Sequence, residues 1–215
     1  MNRGMTMIKH VIWDFDGTLF DSYPGMVNAF LRALKKYGIE AKYDEVLKLF
    51  LNSEKTAVQY YQKRFLLGEE LIEVYQDEKS HIDLSSMLPF PSAKEVCQRI
   101  KEARRYNYIL THRGSTTYDI LRKNGMVELF TEIVTKDNQF ARKPDPEAIY
   151  YLLDKYQIDL KEAMIVGDRE IEILLGQKAK VKTCFYESGN REPELQADYR
   201  VKSLEEVLDI MNIKN

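Results

Sequence analysis

The spacing of hydrophobic positions changes twice along this chain. The first apolar run, residues 11–13, is short and continuous, as in a buried strand. Residues 22–86 instead place apolar side chains three and four positions apart, the spacing of amphipathic helices. From residue 88 onward, short apolar runs alternate with helical patterns. The pattern therefore predicts a core of strands and helices that is interrupted by a helical segment.

The helical segment begins near Ser22-Tyr23-Pro24, where Pro24 suits the first turn of a helix. The first helix is predicted to end at Gly38, and its apolar face consists of Val27, Phe30, Leu31 and Leu34. Three further helices are predicted at residues 43–51, 54–67 and 69–84. Because no strand pattern interrupts this stretch, residues 21–87 are predicted to form an all-helical insertion.

The remaining residues, 1–20 and 88–215, alternate between strands and helices. After the first strand, further strands are predicted at residues 108–110, 132–135, 163–166 and 181–185. Three helices have N-terminal capping signals: Ser92 with Glu95, Asp145 with Pro146, and Ser203 with Glu206 for the last helix. A further helix is predicted from Glu170. Strands that alternate with helices favour a parallel sheet covered on both faces. The predicted fold class is therefore α/β, a doubly wound parallel sheet with an inserted all-helical domain.

The composition is that of an ordinary globular protein, with 44% hydrophobic residues and a net charge of −2 over 215 residues. No basic stretch stands out, so we expect no nucleic-acid partner. No apolar run approaches a membrane span, and residues 1–7 are too short and too polar for a signal peptide. We therefore expect a cytoplasmic protein without a membrane partner. The oligomeric state is not encoded in any visible pattern, and a monomer is the default.

Two carboxylates, Asp14 and Asp16, follow the first strand at positions i and i+2. Side chains two apart on a strand point to the same side, so both are expected to face one site. Carboxylates held this close repel each other unless they share a proton or bind a cation. The following Gly17 permits a tight turn. A simple hairpin is the alternative, but residues 19–24 lack the alternating pattern of a partner strand.

Other chemically useful side chains also stand at predicted strand or helix ends. Thr111 ends a strand, where its hydroxyl could donate to a phosphoryl oxygen, and Lys143 precedes a helix, where its charge could neutralise a phosphate. Asp168 ends another strand, and Glu172 lies one helical turn beyond it. Two carboxylates in that arrangement can converge on one hard cation.

These residues together resemble the four motifs of the haloacid dehalogenase superfamily, in its phosphatase branch. The run DFDGTLFDS, residues 14–22, is similar to motif I, and Thr111 stands at motif II. Lys143 opens a K-P-x-P sequence similar to motif III, and the sequence from Gly167 to Glu172 is similar to motif IV, GDxxxD. The chain departs from the pattern twice: His112 replaces the usual Asn of motif II, and Glu172 replaces the last Asp.

The resemblance implies a Rossmann-like core and a helical cap of the C1 type at residues 21–87. It implies that Asp14 is the nucleophile, that Asp16 is the general acid and base, and that Thr111 and Lys143 hold the phosphoryl oxygens. It further implies Mg²⁺ as the cofactor. The expected ligands are the Asp14 carboxylate, the Asp16 backbone carbonyl and Asp168, with Glu172 ranked below them.

Substrate contacts are implied less specifically. His112 would lie beside the phosphate, either titrating near neutral pH or filling the structural place of the usual Asn, and the structural role is preferred. Ser53 and Lys55 lie where caps of this family approach substrate and close over it. An ordinary exposed helix cap is the alternative for this pair.

The implied function is a Mg²⁺-dependent phosphatase that acts on a small phosphorylated metabolite, with phosphoglycolate phosphatases as the most similar subgroup. The presence of Asp16 argues against the dehalogenases of the superfamily, which lack this acid. A phosphosugar mutase of the β-phosphoglucomutase type shares all four motifs and stays open as an alternative. A catalytically silent binding protein of the same fold is the second alternative.

Overall fold

A computed structural model describes residues 7–188 and 193–214 of the chain. The chain divides into two compact units. One runs from Met1 to Phe20 and from Leu88 to Asn215, and the other from Asp21 to Met87. None of the described helices is long and apolar enough to cross a membrane.

The first unit is built on a six-stranded sheet in which all neighbouring strands pair in parallel. The strands are β1 (His10–Trp13), β2 (Tyr106–Leu110), β3 (Glu132–Val134), β4 (Ala163–Gly167), β5 (Lys182–Tyr186) and β6 (Tyr199–Val201). Their order is β3-β2-β1-β4-β5-β6, so the direction of winding reverses between β1 and β4. This confirms the α/β fold class, and β6 is a strand that the sequence pattern did not indicate.

Nine α-helices are assigned within the described residues. They are α1 (Tyr23–Lys35), α2 (Tyr43–Phe50), α3 (Glu54–Phe65), α4 (Glu70–Ser80), α5 (Ala93–Glu102), α6 (Thr116–Lys123), α7 (Glu147–Lys155), α8 (Glu170–Ala179) and α9 (Glu206–Ile210). Single turns of 3₁₀ helix lie at Leu84–Ser86, Val127–Leu129, Lys136–Asn138 and Leu160–Glu162. The first four α-helices form the second unit, which contains no strand among the assigned elements.

Each unit has its own core. In the sheet unit every residue of β1 is buried, and Ile12 and Ile165 pack with Leu152 of α7 and Leu175 of α8. A central parallel strand is covered on both faces, which explains its continuous apolar run. In the helical unit, the rings of Tyr61 and Tyr75 meet the ring of Phe30 edge to face, at 5.6 and 5.2 Å between ring centroids.

Three of the expected helix caps are wrong in detail. Helix α9 begins at Glu206 with Glu205, not Ser203, as its N-cap, although the Glu206 carboxylate still accepts a hydrogen bond from the Ser203 backbone N–H at 2.8 Å. Ser92 precedes α5 in a left-handed conformation, with φ of 62°, and its side chain makes no capping hydrogen bond. The predicted Ser92–Glu95 capping box is therefore absent. Helix α7 begins at Glu147 with Pro146 as its N-cap, although the Asp145 carboxylate still accepts a hydrogen bond from the Glu147 backbone N–H at 3.0 Å. The Asp145 side chain thus caps the helix from one residue further out than expected.

Candidate active site

Asp14 stands at the carboxyl end of β1, where the strand order reverses. Its backbone N–H donates to the carbonyl of Val166 in β4 at 2.9 Å, and its side chain is buried. Thr111 follows β2 and Asp168 follows β4, so the parallel register brings all three residues to one edge of the sheet. In open α/β sheets this reversal point is where ligands bind.

A tight turn carries the chain away from Asp14. Gly17 has φ of 83°, a conformation that side chains disfavour, and its N–H donates to the Phe20 carbonyl at 2.9 Å. The ring of Phe20 stacks on Phe15 at 4.5 Å between centroids. Thr18 then donates its hydroxyl to Asp168 at 3.1 Å, which joins the turn to the end of β4. The turn therefore fixes Asp16 relative to Asp14. The alternative considered from the sequence, a simple β-hairpin at this point, is not formed.

Lys143 lies between two carboxylates at the centre of this edge. Its Nζ is 2.6 Å from Asp14 Oδ1 and 2.7 Å from Glu172 Oε1, and all three side chains are at most 3% exposed. A buried ammonium ion needs such partners because water does not reach it. The two acids and the lysine, taken from different ends of the sequence, thus form one charged cluster.

The charges of this cluster shift one another's proton affinities. Burial raises the pKa of Asp14 to about 7, although the Lys143 ammonium opposes that rise. Burial acts in the same direction on Glu172, but Lys143 and Arg169 outweigh it and hold the pKa of Glu172 below its ordinary value. For Lys143, burial would lower the pKa, and the carboxylates of Asp14 and Glu172 more than reverse this effect. Lys143 and Glu172 are therefore both charged.

Three carboxylates of the site can reach one cation. Oxygen atoms of Asp14, Asp168 and Glu172 all lie within 4.8 Å of one another, and the three residues are buried. Among the described residues, Asp14 Oδ2 and Glu172 Oε2 have no hydrogen-bond partner. Buried carboxylate oxygens without partners are unfavourable unless a ligand satisfies them. Oxygen donors of this kind suit a hard ion, so the set fits Mg²⁺.

Gly167, the last residue of β4, makes room for Glu172. A Cβ atom at this position would lie 2.3 Å from Cγ of Glu172, far inside van der Waals contact. The absence of a side chain therefore lets the first turn of α8 bring Glu172 under the strand end. This gives the glycine of the G-D sequence a steric role in the site.

Asp16 is paired with an arginine that sequence reasoning missed. Arg113 donates from Nε to Asp16 Oδ1 at 3.1 Å and from Nη2 to the same oxygen at 2.5 Å, with Nε 3.3 Å from Oδ2. Arg113 lies two positions after Thr111, in the loop beyond β2. Its position just beyond the end of β2 could have indicated a role in the site, because the polar residues of the site lie at this edge of the sheet.

A second missed cation is Arg169, the residue after Asp168. Its Nη2 is 3.8 Å from Asp14 Oδ2 and 3.4 Å from Glu172 Oε1. The guanidinium therefore faces two of the three carboxylates that could hold a metal ion. Its sequence position next to Asp168 was a signal, although a residue at a helix start more often points to solvent.

Thr111 and His112 adjoin this cluster in different ways. Thr111 is buried, and its Oγ1 accepts a hydrogen bond from the backbone N–H of Arg113 at 3.1 Å, which leaves the hydroxyl proton for another acceptor. His112 Nε2 accepts from the backbone N–H of Lys143 at 2.9 Å. Burial, together with the nearby Lys143 and Arg142, lowers the pKa of His112 to about 3. These contacts favour the structural role of His112 over titration near neutral pH.

Ser53 and Lys55 belong to the helical unit, at the start of α3. Ser53 is the N-cap, and its hydroxyl accepts from the Thr56 backbone N–H at 2.9 Å, whereas Lys55 is exposed. The capping contact favours an ordinary helix-capping role for Ser53 over a role in substrate binding. Substrate binding by this pair stays a prediction, and Lys55→Ala is its cleaner test because Ser53→Ala would also remove the cap.

Residues 11–186 match the family profile described as "Haloacid dehalogenase-like hydrolase". The phosphoglycolate phosphatase of Vibrio parahaemolyticus is 25% identical over 224 residues, covering 96% of this chain and 97% of the relative. Pyrophosphatase PpaX of Oceanobacillus iheyensis is 21% identical over 209 residues, covering 95% and 97%. A crystal structure from Haemophilus somnus, described as a predicted phosphoglycolate phosphatase, superposes with a TM-score of 0.83 at 23% identity and covers 96% of this chain and 99% of its own. The last similarity supports the fold alone.

Proposed function

Because the chain belongs to the haloacid dehalogenase-like hydrolase family, we propose that it is a Mg²⁺-dependent phosphatase of small phosphomonoesters that forms an aspartyl phosphate on Asp14. Membership of this hydrolase family and the phosphatase relatives give the enzyme class. The metal, the intermediate and the substrate are the proposal.

The observation that carries the proposal is the buried contact of Lys143 with Asp14. A carboxyl group at the end of a strand, 2.6 Å from an ammonium ion, is held in a fixed position. Such a group can attack an electrophilic phosphorus if the charge of the phosphate is neutralised nearby. Lys143 would supply part of that neutralisation, and the hydroxyl of Thr111 would donate to a second phosphoryl oxygen.

The reaction would proceed in two displacements. Asp14 attacks phosphorus, the bond from phosphorus to the leaving oxygen breaks, and Asp16 gives its proton to that oxygen. A water molecule then attacks the aspartyl phosphate while Asp16 takes the water proton, which releases phosphate and restores Asp14. Separate roles for two nearby carboxylates require different surroundings. Both are paired with a cation, but the side chain of Asp14 is 3% exposed and that of Asp16 is 22% exposed.

Asp14, the Asp16 backbone carbonyl and Asp168 would hold the metal, with Glu172 either binding it or positioning Lys143. When bound, Mg²⁺ would offset negative charge on the phosphoryl oxygens. Asp14 Oδ2 and Glu172 Oε2, which accept no hydrogen bond from the described residues, support this assignment.

Phosphoglycolate is the substrate that we propose first, since a relative named phosphoglycolate phosphatase aligns over nearly the whole chain. The domain arrangement predicted from sequence, a catalytic core at residues 1–20 and 88–215 and a helical cap at 21–87, is part of the same proposal.

The test is phosphate release from a panel of small esters, including phosphoglycolate, pyrophosphate and p-nitrophenyl phosphate, with Mg²⁺ and with a chelator. The panel is repeated with Asp14→Asn and with Asp154→Asn, an exposed aspartate of α7, as the matched control. We expect turnover that needs Mg²⁺, survives in the control and is lost in Asp14→Asn. Full activity of Asp14→Asn would overturn the assignment of Asp14 as the nucleophile. Isomerisation of glucose 1-phosphate primed by a bisphosphate, without net phosphate release, would instead establish the mutase.

A further inference from the structure

Arg113 is a nearly buried cation that the phosphoryl-transfer steps above do not use. Its side chain is 8% exposed, and Nε and Nη2 both bind the Asp16 carboxylate. Bidentate contact through two guanidinium nitrogens is the geometry by which arginine generally recognises carboxylates and phosphates. The contact therefore identifies the space beside Asp16 as one where a guanidinium meets an oxyanion.

The loop around Arg113 is fixed at both sides of this residue. The backbone N–H of Arg113 donates to Thr111 Oγ1, and its carbonyl accepts from the Lys136 N–H at 3.1 Å. The guanidinium carbon lies 5.7 Å from the centre of the Phe15 ring, within the range of a cation–π contact. These restraints distinguish Arg113 from a surface arginine that samples many rotamers.

The two buried cations of the site serve different sides of the reaction. Lys143 contacts Asp14, which in the proposed function attacks phosphorus, whereas Arg113 contacts Asp16, which protonates the leaving oxygen. Arg113 is therefore adjacent to the leaving group rather than to the transferred phosphoryl group. Once Asp16 has given up its proton, its carboxylate would repel a negative charge on the leaving group unless a cation stood next to both.

We propose that Arg113 binds an oxyanion on the leaving group, so that the enzyme selects phosphoryl substrates whose leaving part carries a carboxylate or a further phosphate. This inference rests on the proposed function, because it uses Asp16 to locate the leaving group. Phosphoglycolate belongs to this substrate class, since its leaving group, glycolate, has a carboxylate. Simple alkyl phosphates do not belong to it.

The experiment compares two esters of similar size, phosphoglycolate and 2-hydroxyethyl phosphate, which differ in the charge of the leaving group. Both are assayed with the unmodified enzyme, with Arg113→Gln, with Arg113→Lys, and with Arg122→Gln, a control at an exposed arginine of α6. We expect Arg113→Gln to lower kcat/KM for phosphoglycolate about tenfold to a hundredfold more than for the neutral ester, mainly through KM. Arg113→Lys should recover part of this difference, and the control should resemble the unmodified enzyme.

An equal loss on both esters would overturn the inference, since it would mean that Arg113 only positions Asp16. Equal use of both esters by the unmodified enzyme would overturn it as well. If no ester is turned over, the proposed function fails on its own, and calorimetric binding of the two esters to the unmodified protein and to Arg113→Gln decides the question. A binding preference for phosphoglycolate that disappears in Arg113→Gln would then support an anion-binding role for Arg113. A preference that persists in Arg113→Gln would reject that role.

Discussion

The Nζ atom of Lys143 lies 2.6 Å from Oδ1 of Asp14, and neither side chain is more than 3% exposed. These residues are separated by 129 positions in the sequence. Their contact joins the end of β1 to the loop before α7 and places a fixed positive charge against the proposed nucleophile. The same ammonium contacts Glu172 of α8. Lys143 therefore links the end of β1, the loop before α7 and the first turn of α8.

Lys143→Met is expected to reduce both activity and stability. The variant would leave the carboxylates of Asp14 and Glu172 buried without their ammonium partner, and losing one partner of a buried pair typically costs about 3–5 kcal/mol. Urea unfolding in the presence of a chelator measures the loss. We expect Mg²⁺ to restore part of it, because a bound cation offsets the same carboxylates. Lys123→Met, at an exposed lysine of α6, is the control. A free energy of unfolding equal to that of the unmodified protein would contradict the role of Lys143.

The sequence predicted the backbone of this site better than its long side chains. Asp14, Thr111 and Asp168 could be placed because each follows an apolar strand, and parallel strands end at one edge. Arg113 and Arg169 could not be oriented, since a loop arginine turns inward or outward according to distant partners such as Asp16. Strand β6 was missed because only Val201 of its three residues is buried. Ser92 looked like a cap, but its backbone is left-handed and its hydroxyl donates to the Glu205 carboxylate instead.

Gly167→Ala should destabilise the protein and disturb the acid cluster. Its new Cβ would overlap Cγ and Cβ of Glu172, at 2.3 and 2.6 Å, so the helix start or the side chain must move. Overpacking of this kind typically costs about 1–3 kcal/mol. Gly38→Ala is the contrast: Gly38 has φ of 70°, but a Cβ there meets nothing within 4 Å. We expect Gly38→Ala to lose about 1–2 kcal/mol through backbone strain alone, with unchanged kcat. Unfolding curves and kcat for both variants check the comparison, and equal effects on kcat would refute it.

His112→Asn is expected to leave kcat nearly intact, since His112 acts as a hydrogen-bond acceptor for the Lys143 backbone and an Asn side-chain carbonyl can do the same. The pH dependence of stability should change. Burial lowers the pKa of His112 to about 3 in the folded protein, against about 6.5 in an unfolded chain. The unfolded chain therefore binds the proton more readily, and stability from neutral His112 is present above pH 6.5 and lost as the pH falls toward 3.

Across that window the free energy of unfolding should fall less steeply with decreasing pH in His112→Asn than in the unmodified protein. Urea unfolding at several pH values measures the two slopes. Identical slopes would show that His112 is protonated equally in both states, and a large loss of kcat at neutral pH would favour a chemical role for the imidazole.

Arg169→Gln should tighten the binding of Mg²⁺. The guanidinium lies 3.8 Å from Asp14 Oδ2 and 3.4 Å from Glu172 Oε1, so it competes electrostatically with a cation that uses the same carboxylates. Because the Arg169 side chain is 19% exposed, solvent weakens this repulsion, and we expect an affinity gain of roughly tenfold. Calorimetric titration of the substrate-free protein with Mg²⁺ measures it directly. Arg169→Lys keeps the charge and should bind Mg²⁺ about as the unmodified protein does, whereas Asp168→Asn should bind it more weakly. Weaker binding by Arg169→Gln would mean that Arg169 organises the carboxylates for the metal rather than competing with it.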